Sequence, residues 1–355
     1  GYTMFSFVPD LYSFASLAAM EYAKKTGASY LVLREPVLDI FDYHPAWQRY
    51  AIFDEAFDIY DSILYLDADV VARGPNIFEQ YNSPGFHAVP VPVASREGSS
   101  LVEFQGFRWQ LEPWMPGSAN FHTAPSLEKL KSAMQALGQI HHALAQAHPR
   151  LDRSVGLNDR WNRIRYWLNP ADRSFSNQFL ELESRLRSGP PMSADPAMSA
   201  VFEAGSVICM RFRRMCHEIA DELNQAKDLR VEIQPVIADI WHDHVLFQGD
   251  LVSGVIDFGA MRLDATDCDV ARLLGSLVRD DAALRQAGLT AYATCSNRPP
   301  GFALVGLFDR STVLLSGMNW LDWIVIEGRH FDGLPKIVDR LREICGRLEN
   351  LAGTL

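Results

Sequence analysis

The sequence predicts two successive parts: an α/β part with a partial parallel sheet over residues 1–84, and an α+β part with a β-hairpin and a mostly helical lobe over residues 85–355. In the first part, short apolar runs alternate with helical stretches, which is typical of a doubly wound parallel sheet. In the second part, Gln105-Gly106 separates two strand-like runs, and apolar residues further along recur mainly at helical spacing. A length of 355 residues agrees with two domains.

Three strands and two helices account for the first part. Apolar runs at Met4–Val8, Tyr30–Leu33 and Ile63–Leu66 predict the strands. Helical spacing of apolar residues over Leu11–Lys25 predicts the first helix, and a second helix is expected over about Pro45–Tyr60. We therefore expect a partial Rossmann-like sheet, in which helices connect parallel strands.

An acidic pair stands at the end of the third predicted strand. Because ligands of open α/β sheets bind beyond the carboxyl ends of the strands, Asp67 and Asp69 suit a metal–diphosphate site. The surrounding sequence, P-A-W-Q-R-Y-A-I-F and then Y-D-S-I-L-Y-L-D-A-D-V-V, resembles the nucleotide-sugar half of a family 8-like A-type glycosyltransferase. This resemblance, which ends near Tyr81, implies that Asp67 and Asp69 bind Mn²⁺ against the phosphates of a sugar nucleotide.

Composition and charge narrow the class of protein. A net charge of −11 argues against general binding to nucleic acid or to an anionic membrane. The longest apolar runs fall short of the ~20 residues that span a bilayer, and the basic start of a signal peptide is missing. Five scattered cysteines without C-x-x-C spacing favour free thiols in a reducing compartment. We expect a cytoplasmic protein that acts on a small molecule.

The second part opens with the predicted hairpin, in which Ser99–Phe104 pairs with Phe107–Leu111. A short connecting segment, Glu112–Gly117, follows directly and leads into the helical lobe. Ser126 is a predicted N-cap, because an apolar stripe with helical spacing begins just after it. Further helices of the lobe are predicted at Met210–Ala226 and over Leu334–Leu351.

The most informative segment runs from Asp239 to Gly259, D-I-W-H-D-H-V-L-F-Q-G-D-L-V-S-G-V-I-D-F-G. Two short apolar strands, Val245–Phe247 and Gly254–Ile256, form a hairpin with a carboxylate near each open end, Asp239 before it and Asp257 after it. One carboxylate can orient or deprotonate a hydroxyl, and the other can hold Mg²⁺ against the phosphates of a nucleotide. Phosphoryl transfer needs this pair, because positioning and charge neutralisation account for most of its catalysis.

This segment resembles the catalytic and metal loops of the aminoglycoside phosphotransferase/choline kinase-like family, with the pattern H-x-D-x-x-x-x-N followed by an apolar strand. The resemblance implies that Asp239 is the catalytic base and that Asp257 binds the metal. His244 then takes the position of the metal-binding Asn, and Ile237 replaces the usual His. An imidazole is a softer and bulkier ligand for Mg²⁺ than an amide oxygen.

The same resemblance implies a protein-kinase-like hinge and large lobe that use ATP with Mg²⁺. Glu112–Gly117 then corresponds to the hinge, where Glu112, Trp114 and Met115 bind the adenine. A kinase small lobe should also carry a phosphate-covering loop, a strand Lys and a helix Glu. Those elements belong upstream of Val89, where this chain has its glycosyltransferase-like part instead.

The residues around the loop suggest an alternative base and an alternative metal site, and they include Asp269 and a histidine pair with expected structural roles. Asp243 competes with Asp239 as the base, and His242 with His244 forms an H-x-H pair that suggests a zinc site. Asp269 begins a predicted helix and is expected to support the loop through hydrogen bonds to the backbone. A histidine pair, His141-His142, is expected to interact with a helix dipole.

Three functions follow from these patterns. The first is an ATP- and Mg²⁺-dependent phosphotransferase, with an incomplete small lobe, that acts on a small hydroxylated molecule. The second is a metal-dependent glycosyltransferase that uses a sugar nucleotide through Asp67 and Asp69. The third is a nucleotide-binding or pseudokinase fusion without catalysis.

Overall fold

The computed structural model describes three strand segments near the N-terminus and most of the chain from residue 88 onwards. The described ranges are 3–7, 29–33, 63–65, 88–95, 98–100, 102–104, 107–109, 111–147, 149–169, 171–191, 195–296, 298–331 and 333–354. They belong to two compact units, residues 1–76 with 92–112 and residues 77–91 with 113–355. The predicted boundary at residue 84 falls outside the described ranges and stays a prediction.

The first unit contains a small parallel sheet. Its strands are β1 (Thr3–Phe7), β2 (Ser29–Leu33) and β3 (Ile63–Tyr65). β1 lies in the centre, and both neighbours run parallel to it. The three predicted strands and their parallel pairing are therefore present. The helices predicted between them lie outside the described residues, as do Asp67 and Asp69, so the Rossmann-like arrangement stays a prediction.

The predicted hairpin also lies in the first unit. Its strands, β4 (Val102–Phe104) and β5 (Phe107–Trp109), pair in antiparallel fashion with Val102 opposite Trp109. A hydrogen bond from the Val93 N–H to the Leu111 carbonyl (2.7 Å) lies beyond this ladder. The hairpin is confirmed, with strands shorter than the alternation predicted.

The second unit is mostly helical. Its helices are α1 (Leu127–Leu144), α2 (Val155–Tyr166), α3 (Asn177–Ser188), α4 (Pro196–Ala226), α5 (Asp267–Val278), α6 (Ala282–Ala293), α7 (Phe302–Leu321) and α8 (Leu334–Thr354). A π-helical turn, Asp322–Ile326, continues α7. Ser126 caps α1 as predicted, since its hydroxyl accepts the Lys129 N–H at 3.0 Å.

One predicted helix start was wrong. We expected a helix from Met210, whereas α4 begins at Pro196. Asp195 accepts the Ala197 N–H at 2.7 Å, and proline is well suited to the first helical position because its missing N–H needs no partner there. The apolar face of α4 extends back to Val201. The earlier start therefore follows from a cap and a proline that precede the predicted start at Met210.

Two small antiparallel sheets complete the second unit. The first comprises β6 (Arg150–Arg153), β7 (Arg230–Val236) and β10 (Arg262–Asp264), with β7 in the centre. The second is the predicted hairpin of β8 (Val245–Gln248) and β9 (Leu251–Val255). β7 leads into the loop that carries Asp239, and β9 leads to Asp257, so the two sheets position both candidate carboxylates.

The core of the second unit is apolar and aromatic. Trp167, Phe179 and Phe212 have no exposed side-chain surface, and the rings of Phe179 and Phe212 stack with centroids 5.4 Å apart. Burying such side chains stabilises a fold by roughly 1.5–3 kcal/mol each. This core holds α2, α3 and α4 together. The large lobe is thus a rigid base for the loops beside it.

All five cysteines are free thiols, as predicted. Burial raises the pKa of Cys209 and of Cys216 to about 12, so both thiols stay protonated at neutral pH. Within the described residues, none of the helices is both long and apolar enough to cross a membrane.

Candidate active site

The loop after β7 is shaped by one buried carboxylate. Ile237 is buried, and Ala238 has a φ of 66°, a left-handed conformation that is strained for a residue with a side chain. The Asp269 carboxylate accepts the N–H of Ile237 at 2.7 Å and the N–H of Ala238 at 2.8 Å. These bonds compensate for the strain and turn the chain towards Asp239. The predicted support by Asp269 is confirmed.

A histidine from α1 completes this support. His141 is buried, its Nε2 lies 3.1 Å from Asp269 Oδ2, and its Nδ1 lies 2.9 Å from the Tyr292 hydroxyl. His141 lies in the last turn of α1, as predicted, and its ring is fixed in the interior by these two partners. A buried carboxylate needs such partners, because an unpaired charge in the interior is costly.

Asp239 itself is half exposed and bound by an arginine. Arg272 Nη2 donates to Asp239 Oδ1 at 2.5 Å, and half of the Asp239 side chain remains accessible. Arg272 lies three residues after Asp269 on α5, so both side chains leave the same face of the helix. One helix face therefore fixes the backbone of the loop and orients its carboxylate. The sequence analysis did not detect Arg272.

His244 links the two carboxylate-bearing segments. Its Nδ1 donates to the Asp239 carbonyl at 3.0 Å, and its Nε2 accepts the indole N–H of Trp241 at 2.7 Å. An indole can only donate, so these partners assign the neutral ring with its proton on Nδ1. His244 Nε2 also lies 3.4 Å from Asp257 Oδ2. His244 and Asp257 thus lie side by side. However, the Nε2 lone pair of His244, which a metal would need, already accepts the hydrogen bond from Trp241.

Asp257 follows β9 in a left-handed conformation with a φ of 65°, and 58% of its side chain is exposed. The Ile256 N–H donates to the His244 carbonyl at 3.0 Å, which ties the end of the hairpin to the loop before it. Carboxylate oxygens are the ligands that Mg²⁺ prefers in proteins. An exposed carboxylate on a fixed backbone can accept a metal without first losing a buried partner.

The segment predicted to bind adenine runs beside the same hairpin. The Ser253 hydroxyl donates to the Pro116 carbonyl at 2.5 Å, and Ser118 exchanges backbone hydrogen bonds with Phe247. Met115 is buried against Gly254, where a Cβ would lie 2.8 Å from the Met115 Cβ. Trp114 is 74% exposed. The sequence Met115–Ser118 is therefore anchored on the strand that leads to Asp257.

The model described as phosphotransferase enzyme family matches residues 77–304, more than half of the chain. The chain belongs to the phosphotransferase enzyme family. Its mostly helical lobe and small antiparallel sheets fit a kinase-like fold. None of the curated proteins that were searched matches the sequence.

Several solved structures are similar to this phosphotransferase-family chain. One is an aminoglycoside phosphotransferase from Alicyclobacillus acidocaldarius subsp. acidocaldarius DSM 446, at 16% identity and a TM-score of 0.48, covering 79% of this chain and 82% of that chain. Another is a glucosamine kinase at 14% identity and a TM-score of 0.48, covering 79% and 70%. The amicoumacin kinase hAmiN in complex with AMP-PNP, Ca²⁺ and Ami matches at 15% identity and a TM-score of 0.43, covering 76% and 75%.

The phosphotransferase-family match leaves the glycosyltransferase resemblance without support. The match begins at residue 77, and Asp67 and Asp69 lie outside the described residues. The Mn²⁺ site and the sugar nucleotide inferred from them therefore stay predictions. Glu112 falls in the first unit, whereas Trp114 and Met115 fall in the second.

The zinc alternative does not fit the geometry of this phosphotransferase-family chain. His242–His244 form a 3₁₀ turn rather than a strand, and their rings have different partners. The His242 ring lies edge-on to His122 with centroids 4.3 Å apart. Within the described ranges, three potential ligands of the His, Cys, Asp or Glu type do not gather at any one point. Asp243, the competing base, is half exposed on this turn, 3.4 Å from His242 Nε2.

A polar cleft opens beside the loop, between α5, α7 and α8. Its free volume is about 30 Å³, room for one or two water molecules. Residues spaced three, four or seven apart on each helix line it, so each helix turns one face towards the cleft. The polar residues of these faces are Arg272 and Ser276 on α5, Asp309, Thr312 and Ser316 on α7, and Arg340, Glu343 and Arg347 on α8; Trp241 lines it from the loop. The sequence analysis did not predict this cleft.

Proposed function

We propose that this protein is an ATP- and Mg²⁺-dependent phosphotransferase that transfers a phosphoryl group to a hydroxyl of a small molecule. The observation that carries the proposal is the loop and hairpin of 239–257. Asp239 and Asp257 stand at its two open ends, and the Asp269 carboxylate fixes the backbone before Asp239. Membership of the phosphotransferase enzyme family supports the same reaction class.

Asp239 would act on the acceptor hydroxyl. Its free oxygen accepts a hydrogen bond from the hydroxyl and orients it towards the γ-phosphoryl group of ATP. It takes the proton as the new P–O bond forms and the bond from the γ-phosphorus to the ADP oxygen breaks, so that ADP leaves. Arg272 holds the other oxygen of Asp239 at 2.5 Å. The carboxylate therefore presents one oxygen in a fixed direction. Positioning of this kind supplies much of the rate enhancement in phosphoryl transfer.

Mg²⁺ would be held by Asp257, together with the phosphates and water. Its exposed side chain and hard oxygen ligands fit the metal. His244 fits less well, because its Nε2 accepts the Trp241 indole N–H. We therefore assign His244 the task of joining the Asp239 loop to the Asp257 segment. When bound, the metal would neutralise charge on the transferring phosphate.

The adenine would bind at the connecting segment of the second unit, through the backbone groups of Met115 and the exposed ring of Trp114. The support for this is the anchoring of Pro116 and Ser118 on the hairpin that leads to Asp257. Such anchoring sets a constant distance between the adenine site and the metal site.

Calorimetric titration of the full chain with Mg·ATP tests the proposal, combined with ATP consumption in the presence of hydroxylated acceptors. Asp257→Asn should abolish Mg²⁺-dependent nucleotide binding. Asp239→Asn should keep binding and lower turnover by about 10²–10⁴-fold, the usual range for a general base. Asp243→Asn, a matched change four residues on, should leave both unchanged.

Three results would count against the proposal. Absence of binding at millimolar Mg·ATP would contradict it. Loss of turnover in Asp243→Asn rather than Asp239→Asn would move the base to Asp243. Binding without any transfer would instead favour the non-catalytic, nucleotide-binding alternative. A glycosyltransferase is not proposed, because none of the observations on the described residues favours it.

A further inference from the structure

The short strand β6 lies at the edge of its sheet. In the order β10–β7–β6 it pairs with β7 on one side, and within the described residues no strand or β-bridge lies along its other side. An edge strand presents unpaired backbone N–H and C=O groups, which can pair with a strand of another chain. The outer edge of β6 therefore offers hydrogen-bonding groups to a partner strand.

An apolar side chain stands in the middle of this polar strand. Leu151 is 65% exposed, although the other residues of β6 are all charged. Leu229, which directly precedes β7, and Val155, the first residue of α2, are exposed as well. Both lie next to the C-terminal end of β6, where Arg153 pairs with Arg230. Covering these apolar side chains would favour association, because it removes their surface from water.

The charged residues of β6 are of both signs. Charged side chains usually protect an edge strand from pairing with another chain. Arg150 and Asp152 leave the strand on the same face, because side chains alternate along a strand. Asp152 Oδ1 accepts the N–H of Arg153, whereas Asp152 Oδ2 lies 3.4 Å from Arg150 Nε, a long contact between two largely exposed groups. Arg150 and Asp152 are therefore both available to a partner of opposite charge.

A second copy of the same strand complements β6 in one symmetric register. In a two-fold antiparallel pairing one residue lies opposite its own copy, since residues an odd number apart face opposite sides of a strand. With Leu151 on the axis, Arg150 lies opposite Asp152 of the second copy, and Asp152 lies opposite Arg150 of the second copy. With Arg150, Asp152 or Arg153 on the axis, like charges lie directly opposite each other, which is destabilising.

We propose that two copies of this chain form a dimer through their β6 strands, with Leu151 on the two-fold axis. The three strands of each copy then form one continuous sheet of six. Backbone hydrogen bonds between the edge strands supply affinity, and the opposite charges select the register. The contact is small, because β6 has four residues, and interfaces below about 1,200 Å² are typical of transient pairs. The dimer is therefore weak and depends on concentration.

Sedimentation velocity of the full chain, from micromolar to submillimolar concentration, tests this. The mean mass should rise with concentration from that of one chain towards that of two. Asp152→Arg puts a second arginine opposite Arg150 on both sides of the axis and should weaken the dimer about 10-fold or more. Arg150→Asp combined with Asp152→Arg exchanges the two charges. The cross-strand pairs stay complementary in this double variant, so the dimer should be restored.

Leu151→Asp should weaken the dimer as well, because it places two carboxylates opposite each other on the axis. Leu263→Asp is the matched control, since Leu263 is an exposed leucine of β10, the strand at the opposite edge of the same sheet. This variant should associate like the wild type. Circular dichroism of each variant separates loss of the dimer from loss of the fold.

Four results would overturn the inference. A protein that stays monomeric up to submillimolar concentration does not associate through this edge. A dimer that is unaffected by Asp152→Arg and Leu151→Asp is held together elsewhere, and so is one that Leu263→Asp weakens as much as Leu151→Asp does. If the exchange of charges fails to restore a dimer that Asp152→Arg weakens, the strands do not meet in the proposed register. These results concern association alone and leave the proposed phosphotransferase reaction untouched.

Discussion

At the scale of single residues, Asp269 is the side chain on which the candidate site depends most. Its two oxygens accept the N–H groups of Ile237 and Ala238 and also contact His141. Asp269→Asn keeps the shape but replaces one acceptor oxygen by a donor that faces another N–H. We expect a loss of roughly 2–4 kcal/mol in the free energy of unfolding, as is typical when a buried charged network is broken.

Urea denaturation of the two proteins would measure this loss. Asp339→Asn is the control, since Asp339 is 76% exposed. Equal stabilities for Asp269→Asn and the wild type would show that the loop holds its shape without the carboxylate.

His242 makes stability depend on pH. Burial lowers its pKa from the usual 6.5 to about 4; Asp243 and Glu343 act in the opposite direction, and His122 and Arg340 lower it further. Between these values the unfolded chain binds the proton and the folded chain does not. Stability should therefore fall as the pH falls from about 6.5 towards 4, by at most about 1.4 kcal/mol per pH unit.

Thermal unfolding at pH 7 and pH 5 would test this prediction. His242→Gln should make the profile flatter, whereas His142→Gln, at an exposed position on α1, should leave it unchanged. A steep profile that survives His242→Gln would place the responsible group elsewhere.

Some of these residue roles could be predicted from the sequence. Asp269 directly precedes the apolar run of a predicted helix, and this position indicates a supporting role. It lies 32 residues after Ile237, whose N–H it accepts. His141 lies 128 residues from Asp269, and only the packing of α1 beside α5 brings them together. Arg272 was missed for another reason. Any exposed arginine on a helix is usually solvated, and nothing local distinguishes one that reaches a loop carboxylate.

At the scale of elements, α5 approaches its neighbours closely because it contains a glycine. A Cβ at Gly275 would lie 2.5 Å from Asp309 Oδ1 and 3.1 Å from Arg347 Nη1. Alanine usually stabilises a helix by up to about 1 kcal/mol relative to glycine. At Gly275 we expect alanine to lower the free energy of unfolding instead. The new methyl group would push Asp309 out of a largely buried ion pair.

Gly346→Ala on α8 is the matched control, because nothing lies within 4 Å of its Cβ position. Denaturant titration should show Gly346→Ala as neutral or slightly stabilising and Gly275→Ala as destabilising. If Gly275→Ala were stabilising too, the contact between α5 and Asp309 would be looser than the structure indicates.

The presence of strands and helices was easier to predict than the residues at which they begin and end. Alternation and turn residues indicated the hairpins of β4 with β5 and β8 with β9. β6 was not predicted, because Arg150–Arg153 is polar and mostly exposed, so no apolar period marks it. Its strand conformation comes from pairing with β7, a partner about eighty residues away. Tertiary contacts thus override the weak local pattern.

At the scale of the whole molecule, the buried cluster formed by the described residues belongs to the second unit. Its buried members fall between Val89 and Leu348, and all of them are residues of that unit. We therefore expect a fragment of residues 77–355 to fold cooperatively. Urea unfolding followed by fluorescence and by circular dichroism should give coincident transitions. Separate transitions would mean that residues 1–76 are needed to complete the fold.

The arrangement of α5 has a consequence for the candidate site. The helix fixes Asp239 through Asp269 and Arg272, and one turn further on it meets the Asp309–Arg347 pair through Gly275. A helix has a constant rise of 1.5 Å per residue, so the spacing between these two points cannot adapt to the ligand. A shift of α5 along its own axis would therefore move both points together. A substitution that displaces the helix at Gly275 should change the position of the Asp239 carboxylate as well.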